Sequence, residues 1–208
     1  MFKELKLNYN IPELKEVSKY LDGVKDWAKL GSSHYCLSLR GYSNNIFDYN
    51  SMEPNTWSYD PILKQDVFDA KNKRLEKDLQ WTELYYSEIM KPIKELLEQF
   101  SCKFERVRIA KLIPKGVVRK HTDKVDPNLG VNIGNNLRIH LPIRTNNLCK
   151  FILWDKNDVK HTFTPEINKF YFTDCRYAHS VENLSEKNRY HLLIDCYINE
   201  DIKNAISN

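Results

Sequence analysis

Between residues 104 and 198 the chain breaks into short runs of alternating apolar and polar residues, joined by turns and with no helical stretch between them. This pattern constrains the fold more than any other feature. Phe104 to Ile113 alternates imperfectly and ends at the turn Pro114-Lys115-Gly116, and Val117 to His121 follows as a short strand. Leu137-Arg138-Ile139-His140-Leu141-Pro142-Ile143 alternates cleanly, and residues 149–154, 169–173 and 189–198 complete the set. Successive side chains of a strand point to opposite faces. Strands linked by turns rather than by crossover helices predict an antiparallel sandwich or barrel.

The first hundred residues carry most of the helical signal. After Pro12, apolar residues recur at Leu14, Val17 and Leu21, and Gly23 interrupts or ends that helix before a second turn with Trp27 and Leu30. Residues 33–38 read as a strand. Residues 41–60, rich in Gly, Ser, Asn and Asp, read as a loop. From about Val67 to Phe100 a stripe of Leu75, Leu79, Leu84, Ile89, Ile93, Leu96 and Leu97 has helical spacing, with Pro92 starting or kinking a helix. Such a stripe supports a sheet. The length of 208 residues fits a single domain, with a helix-rich part over 1–100 and a β core over 101–200.

Composition removes several function classes. The net charge is +4, with lysines mixed among acids and no basic block with interleaved aromatics, so nucleic acid is not the expected partner. No apolar run approaches the roughly 20 residues that span a bilayer. The N-terminal Met1-Phe2-Lys3-Glu4-Leu5-Lys6 has no apolar core of a secretory signal, so the expected location is the cytoplasm. Five cysteines without a C-x-x-C pair argue against a disulfide framework, and Cys102, Cys149 and Cys196 read as small core residues in strand-like runs.

Chemistry concentrates at His121-Thr122-Asp123. Residues two apart on a strand share a face, so His121 and Asp123 can aim at one ion. A third ligand comes from a distant strand, and His179 is placed for it. Two imidazoles and one carboxylate hold iron(II) on one face and leave three positions open for a bidentate co-substrate and dioxygen. Arg189 follows ten residues after His179. Its planar fork suits a carboxylate, and a buried guanidinium needs an anion. The competing reading pairs it with Glu182 or Glu186 at a strand edge. Arg138 and His140 share a face opposite Leu137, Ile139 and Leu141, and they face a cavity if that apolar face meets the helices. Arg119 has the parity of His121, which makes it a candidate for a substrate carboxylate. Phe151, Trp154, Phe170 and Phe172 are candidates for a dry wall or for core.

At these residues the chain resembles the aspartyl/asparaginyl β-hydroxylase family, which includes bacterial proline hydroxylases. The resemblance runs from about Arg106 to Ile198 and rests on the order His121-Thr-Asp123, Leu137-Arg138-Ile139-His140-Leu141-Pro142, His179-Ser180-Val181-Glu182-Asn183 and Arg189 to Asp195. It implies a double-stranded β-helix (jelly roll, cupin-like), Fe(II), 2-oxoglutarate as co-substrate, and dioxygen. By that resemblance His121, Asp123 and His179 are the metal ligands. Arg189 partners the distal carboxylate of 2-oxoglutarate, and Arg138 and His140 lie near its metal-bound end. Animal members have glycine where Asp123 stands, so this chain looks more like hydroxylases of free amino acids. Pro165-Glu166-Ile167-Asn168 replaces a family Gly-Glu turn.

The expected function is hydroxylation of an unactivated C–H bond of a free amino acid such as proline. A peptidyl aspartate or asparagine is the alternative substrate. A non-catalytic barrel that binds a metal and a small acid is the alternative of another class. Structural zinc fits poorly, since such sites are closed and rich in cysteine.

Overall fold

The alternation of the C-terminal half is built into two antiparallel sheets that face each other. The computed structural model describes residues 2–47, 57–60, 62, 65–68, 79–123, 136–175 and 177–207. Its strands are β1 (Phe2–Leu5), β2 (Ala28–Lys29), β3 (His34–Gly41), β4 (Trp57–Asp60), β5 (Gln65–Phe68), β6 (Gln80–Trp81), β7 (Phe104–Leu112), β8 (Val117–His121), β9 (Asn136–Arg144), β10 (Cys149–Trp154), β11 (Lys160–Phe163), β12 (Phe170–Thr173), β13 (His179–Asn183) and β14 (Arg189–Tyr197). Helices α1 (Lys15–Gly23), α2 (Glu83–Tyr86), α3 (Lys91–Leu97) and α4 (Glu200–Ser207) flank them, with a 3-10 turn at Glu88–Met90. The larger sheet has the order β1-β12-β9-β14-β7-β3-β2, with β6 also on β3, and the smaller has the order β11-β10-β13-β8. This is a jelly roll.

The larger sheet separates structure from chemistry. On one face Leu137, Ile139, Leu141 and Ile143 of β9 and Tyr190, Leu192, Ile194 and Cys196 of β14 pack in one cluster with Val17 and Leu21 of α1, Ile93 and Leu96 of α3, and Ile202 of α4. Each such aliphatic side chain removed from water stabilises the fold by about 1.5–3 kcal/mol. The intervening residues of the same strands, Arg138, His140, Arg189, His191 and Asp195, are buried against the other sheet. There Phe2, Phe151, Leu153 and Tyr171 form a second, smaller cluster, with Phe2 stacked on Phe151 and Tyr171 at centroid distances of 4.8 and 5.0 Å.

Helix α1 is anchored at its C-terminal end. Arg144 donates to both oxygens of Asp22 at 2.7 and 2.6 Å, and the Tyr190 hydroxyl donates to Asp22 Oδ1 at 2.9 Å. The helix is thereby tied to the ends of β9 and β14.

Several expectations are corrected. Part of the expected loop over 41–60 is strand, since β4 pairs with β5. The stripe from Val67 to Phe100 is not one helical stretch. It includes the end of β5, then β6, α2, the 3-10 turn and α3, with Pro92 in the first turn of α3. Proline lacks an N–H and is accommodated in a first turn, where that donor has no partner anyway. Leu75 lies outside the described residues. The Trp27 to Leu30 segment contains β2 rather than a helical turn, because Ala28 and Lys29 pair with Cys36 and Tyr35. Cys102 is half-buried and precedes β7, while Cys149 and Cys196 are buried in strands. No helix among the described residues is long and apolar enough to cross a membrane.

Candidate metal centre

The adjacent antiparallel strands β8 and β13 bring His121 directly opposite His179. Asp123 lies just past the end of β8, so the strand alternation that pointed to it has already ended. Its backbone N–H donates instead to the Cys175 carbonyl at 3.2 Å. The ligand atoms of His121, Asp123 and His179 all lie within 4.8 Å of one another. Asp123 Oδ1 is 3.4 Å from His121 Nε2 and 3.7 Å from His179 Nε2.

Both imidazoles are oriented from behind. His121 Nδ1 lies 2.7 Å from the Arg119 carbonyl, and His179 Nδ1 lies 2.9 Å from the Tyr177 carbonyl. A carbonyl only accepts, so each Nδ1 donates to it, and Nε2 is the nitrogen of each ring turned toward Asp123. Burial would raise the Asp123 carboxyl, but Arg138 and then His121 hold it well below the usual carboxylate range. His179 is lowered, chiefly by burial, and therefore neutral. His121 is raised, chiefly by its contact with Asp123. A carboxylate and two imidazole Nε2 atoms on one side of a common point form a donor set suited to a divalent transition metal.

Behind the donors lies a cluster of buried charge. Arg138 donates to Asp195 through Nε at 2.7 Å and through a terminal nitrogen at 3.1 Å, and its other terminal nitrogen donates to Asp123 Oδ2. A terminal nitrogen of Arg106 is 3.1 Å from Asp195 Oδ2, and one of Arg108 is 3.8 Å from it.

A column of aromatic rings runs from the donors into the barrel. His179 stacks on Phe151 at 5.8 Å, Phe151 meets the edge of His140 at 5.8 Å, and His140 lies 6.0 Å from His191. His191 Nδ1 accepts from Arg189 at 3.0 Å. Arg189 is buried and has no carboxylate partner among the described residues. Burial lowers its guanidinium to about 10. Its Nε, together with Nε2 of His140 and of His191, is buried without a hydrogen-bond partner among the described residues. Unpartnered buried polar groups are costly, so a ligand that satisfies them is favoured.

The apolar face of β9 meets the helices, which is the condition under which Arg138 and His140 turn inward, and both are buried. Arg119 is exposed, and the register shifts between the pairs His179–His121 and Val181–Val118, in the segment that contains Arg119. Alternation therefore does not fix the direction of its side chain. Among the aromatics only Phe151 lines the column. Trp154 has Lys120 above its ring, and Phe170 and Phe172 pack with the helix-side core.

Sequence reasoning missed His191, Asp195, Arg106, Arg108 and His34. Alternation from Arg189 along β14 would have found the first two. His34 pairs with Leu112, which pairs on its other side with Arg189, so the three occupy one rung of the larger sheet. Burial, then the charges of Arg108 and Arg189, lower His34 to about 4.

The family model for aspartyl/asparaginyl beta-hydroxylase matches residues 61–198. Among solved structures, a 2OG-Fe(II) oxygenase family oxidoreductase from Burkholderia pseudomallei is similar over 89% of this chain and 77% of its own, at 10% identity and a TM-score of 0.49. A prolyl-4-hydroxylase from Pseudomonas putida is similar over 95% of this chain and 92% of its own, at 10% identity and a TM-score of 0.46. A cupin domain from Bordetella pertussis is similar over 47% of this chain and 86% of its own, at 15% identity and a TM-score of 0.33. No curated protein sequence matches.

Proposed function

This chain belongs to the aspartyl/asparaginyl β-hydroxylase family and is an oxygenase, and from that premise we propose that it uses Fe(II) and 2-oxoglutarate to hydroxylate a C–H bond of a free amino acid, such as proline, or of a similarly small substrate. The observation that carries the reading is the pairing of two features in one barrel. Three donors converge at one end, and a buried guanidinium without a carboxylate partner among the described residues waits at the other. His121, Asp123 and His179 would hold the iron. When bound, the metal with its keto acid and dioxygen supplies the oxidising power that turns C–H into C–OH, releasing succinate and carbon dioxide.

The protein's own residues bind, orient and exclude water. Arg189 neutralises the distal carboxylate of the co-substrate with two parallel bonds. His140 and His191, held neutral by burial, offer Nε2 groups along the column. Arg138 acts near the metal-bound end, where its charge already faces Asp123. Phe2, Phe151, Leu153 and Tyr171 keep the inner wall dry, which strengthens the polar contacts within. Arg119, exposed and next to the His121 strand end, is a candidate for the substrate carboxylate. The carboxylate at Asp123, where animal relatives carry glycine, supports a free amino acid over a peptidyl residue. Five free thiols suit a reducing compartment such as the cytoplasm.

The test is substrate-stimulated succinate release under iron and oxygen, with amino acids and short peptides compared. Stimulation by a free amino acid is expected. Stimulation by peptides alone would move the assignment to a peptidyl hydroxylase. Binding of iron and 2-oxoglutarate with no succinate from any compound would indicate a binding protein.

A further inference from the structure

Asp195 is 1% exposed, yet its carboxylate faces three guanidiniums. Arg138 grips both of its oxygens, at 2.7 and 3.1 Å, and Arg106 and Arg108 approach Oδ2 at 3.1 and 3.8 Å. With two of its nitrogens held in this way, Arg138 has one terminal nitrogen directed at Asp123 Oδ2. The two oxygens of Asp123 thereby become unequal. Oδ1 faces both imidazoles, and Oδ2 is engaged by the guanidinium.

We propose that Asp195 is a positioning residue for the metal centre, acting through Arg138 so that Asp123 offers the metal a single oxygen. The proposal rests on reading His121, Asp123 and His179 as the ligands. Carboxylates bind metals through one oxygen or both. Asp123 bound through both would occupy a fourth coordination position. Only two would then remain, too few for a chelating keto acid and dioxygen together. A hydrogen bond from Arg138 to Oδ2 removes that oxygen from competition. The planar fork lets Arg138 span two carboxylates at once, and its nitrogen directed at Asp123 also lies 3.5 Å from Cys175 Sγ. Asp195 fixes its other edge, and Arg106 from the neighbouring β7 holds Asp195 in turn.

Anaerobic cobalt(II) titration tests this without turnover, because the visible bands of cobalt report its coordination. Wild type is expected to bind one cobalt per chain, and His179→Ala to lose it. Asp195→Asn, with folding checked by near-UV circular dichroism, is expected to change the cobalt spectrum before any 2-oxoglutarate is added. It is also expected to weaken cobalt binding by roughly 10–100-fold, the usual effect of losing a partner that orients a ligand. Arg189→Lys is the control. It leaves the cobalt spectrum unchanged and weakens only the later response to 2-oxoglutarate.

A spectrum and affinity in Asp195→Asn equal to wild type overturn the proposal while leaving the ligand assignment intact. Wild type that does not bind cobalt, or His179→Ala that binds it equally well, overturns the ligand assignment itself and the proposal with it. Should Asp195→Asn not fold, Arg138→Lys, which keeps the charge but cannot bridge two carboxylates, is held to the same expectations. Failure of both variants to fold assigns the cluster a purely structural role and overturns the proposal.

Discussion

Arg189 shows what a single buried side chain can report. An imidazole at 3.0 Å does not neutralise a guanidinium, and burial lowers its basicity to about 10. On the proposed reading, a carboxylate entering beside it supplies the missing counter-charge. Arg189→Lys, which loses the two-pronged contact, should weaken 2-oxoglutarate binding by about 1.5–3 kcal/mol, roughly 10–140-fold. Calorimetry on the metal-loaded protein checks this, and equal affinity in both proteins removes Arg189 as the anchor. Asp123→Ala should keep the fold and lose metal by more than the roughly 100-fold that loss of an orienting partner gives. Retention of metal would take Asp123 out of the site.

These residues were legible because their spacing is chemical, with a carboxylate two residues after a histidine and an arginine ten after another. Asp195 and His34 were not. One acid in an apolar strand does not reveal which arginines surround it, and His34 comes beside Arg108 and Arg189 through the pairing of β3 with β7.

At the level of elements, two turns are fastened by one amide. Asn183, fully buried at the end of β13, donates to the carbonyls of Leu112, Ile113 and Lys187 at 3.0, 3.0 and 2.8 Å, and accepts from the Ser185 hydroxyl at 2.7 Å. The turn it clasps requires glycine at 116, since a Cβ there would lie 2.7 Å from the Ile113 carbonyl oxygen. Asn183→Ala should destabilise the protein by about 2–3 kcal/mol by leaving buried carbonyls unpaired. It should also loosen the start of β14, where Arg189 stands. Urea unfolding measures the first effect, and an unchanged midpoint would refute it.

β8 and β10 could be read to the residue because turn residues bound them, Pro114-Lys115-Gly116 before β8 and Asn146-Asn147 and Asn157-Asp158 around β10. The stripe over Val67 to Phe100 misled because apolar spacing does not distinguish one long helix from short helical pieces that follow a strand. The pairing of β6 with β3 is a tertiary event. β1 was hidden for the same reason, since its charged residues conceal the strand that carries Phe2 into the inner wall.

For the molecule as a whole, the buried histidines govern stability against acid. His34, His140, His179 and His191 are all held below the ordinary histidine value, with burial the largest cause in each. In the unfolded chain they take up protons near pH 6.5. Between there and about pH 4, where His34 titrates when folded, the unfolded state binds more protons, so stability falls as pH falls. His121 is raised and opposes this, since its contribution is lost as pH rises, but it stands against four. Metal-free protein should therefore be less stable to urea at pH 5 than at pH 7.5, and His34→Gln should flatten that slope. A profile flat across this window would contradict the neutral imidazoles.

The jelly roll itself was readable because it needs only strands and turns in the right order. The division of labour across β9 and β14 was not readable, since it depends on which face the helices cover. That division leaves the molecule open to change in one direction. The buried arginines and histidines behind the metal donors and the packed interior are stitched into the same two backbones, so neither can drift without the other. Exposed positions such as Arg119 carry no such double burden, and a new choice of substrate can be grafted there while the engine runs on unaltered.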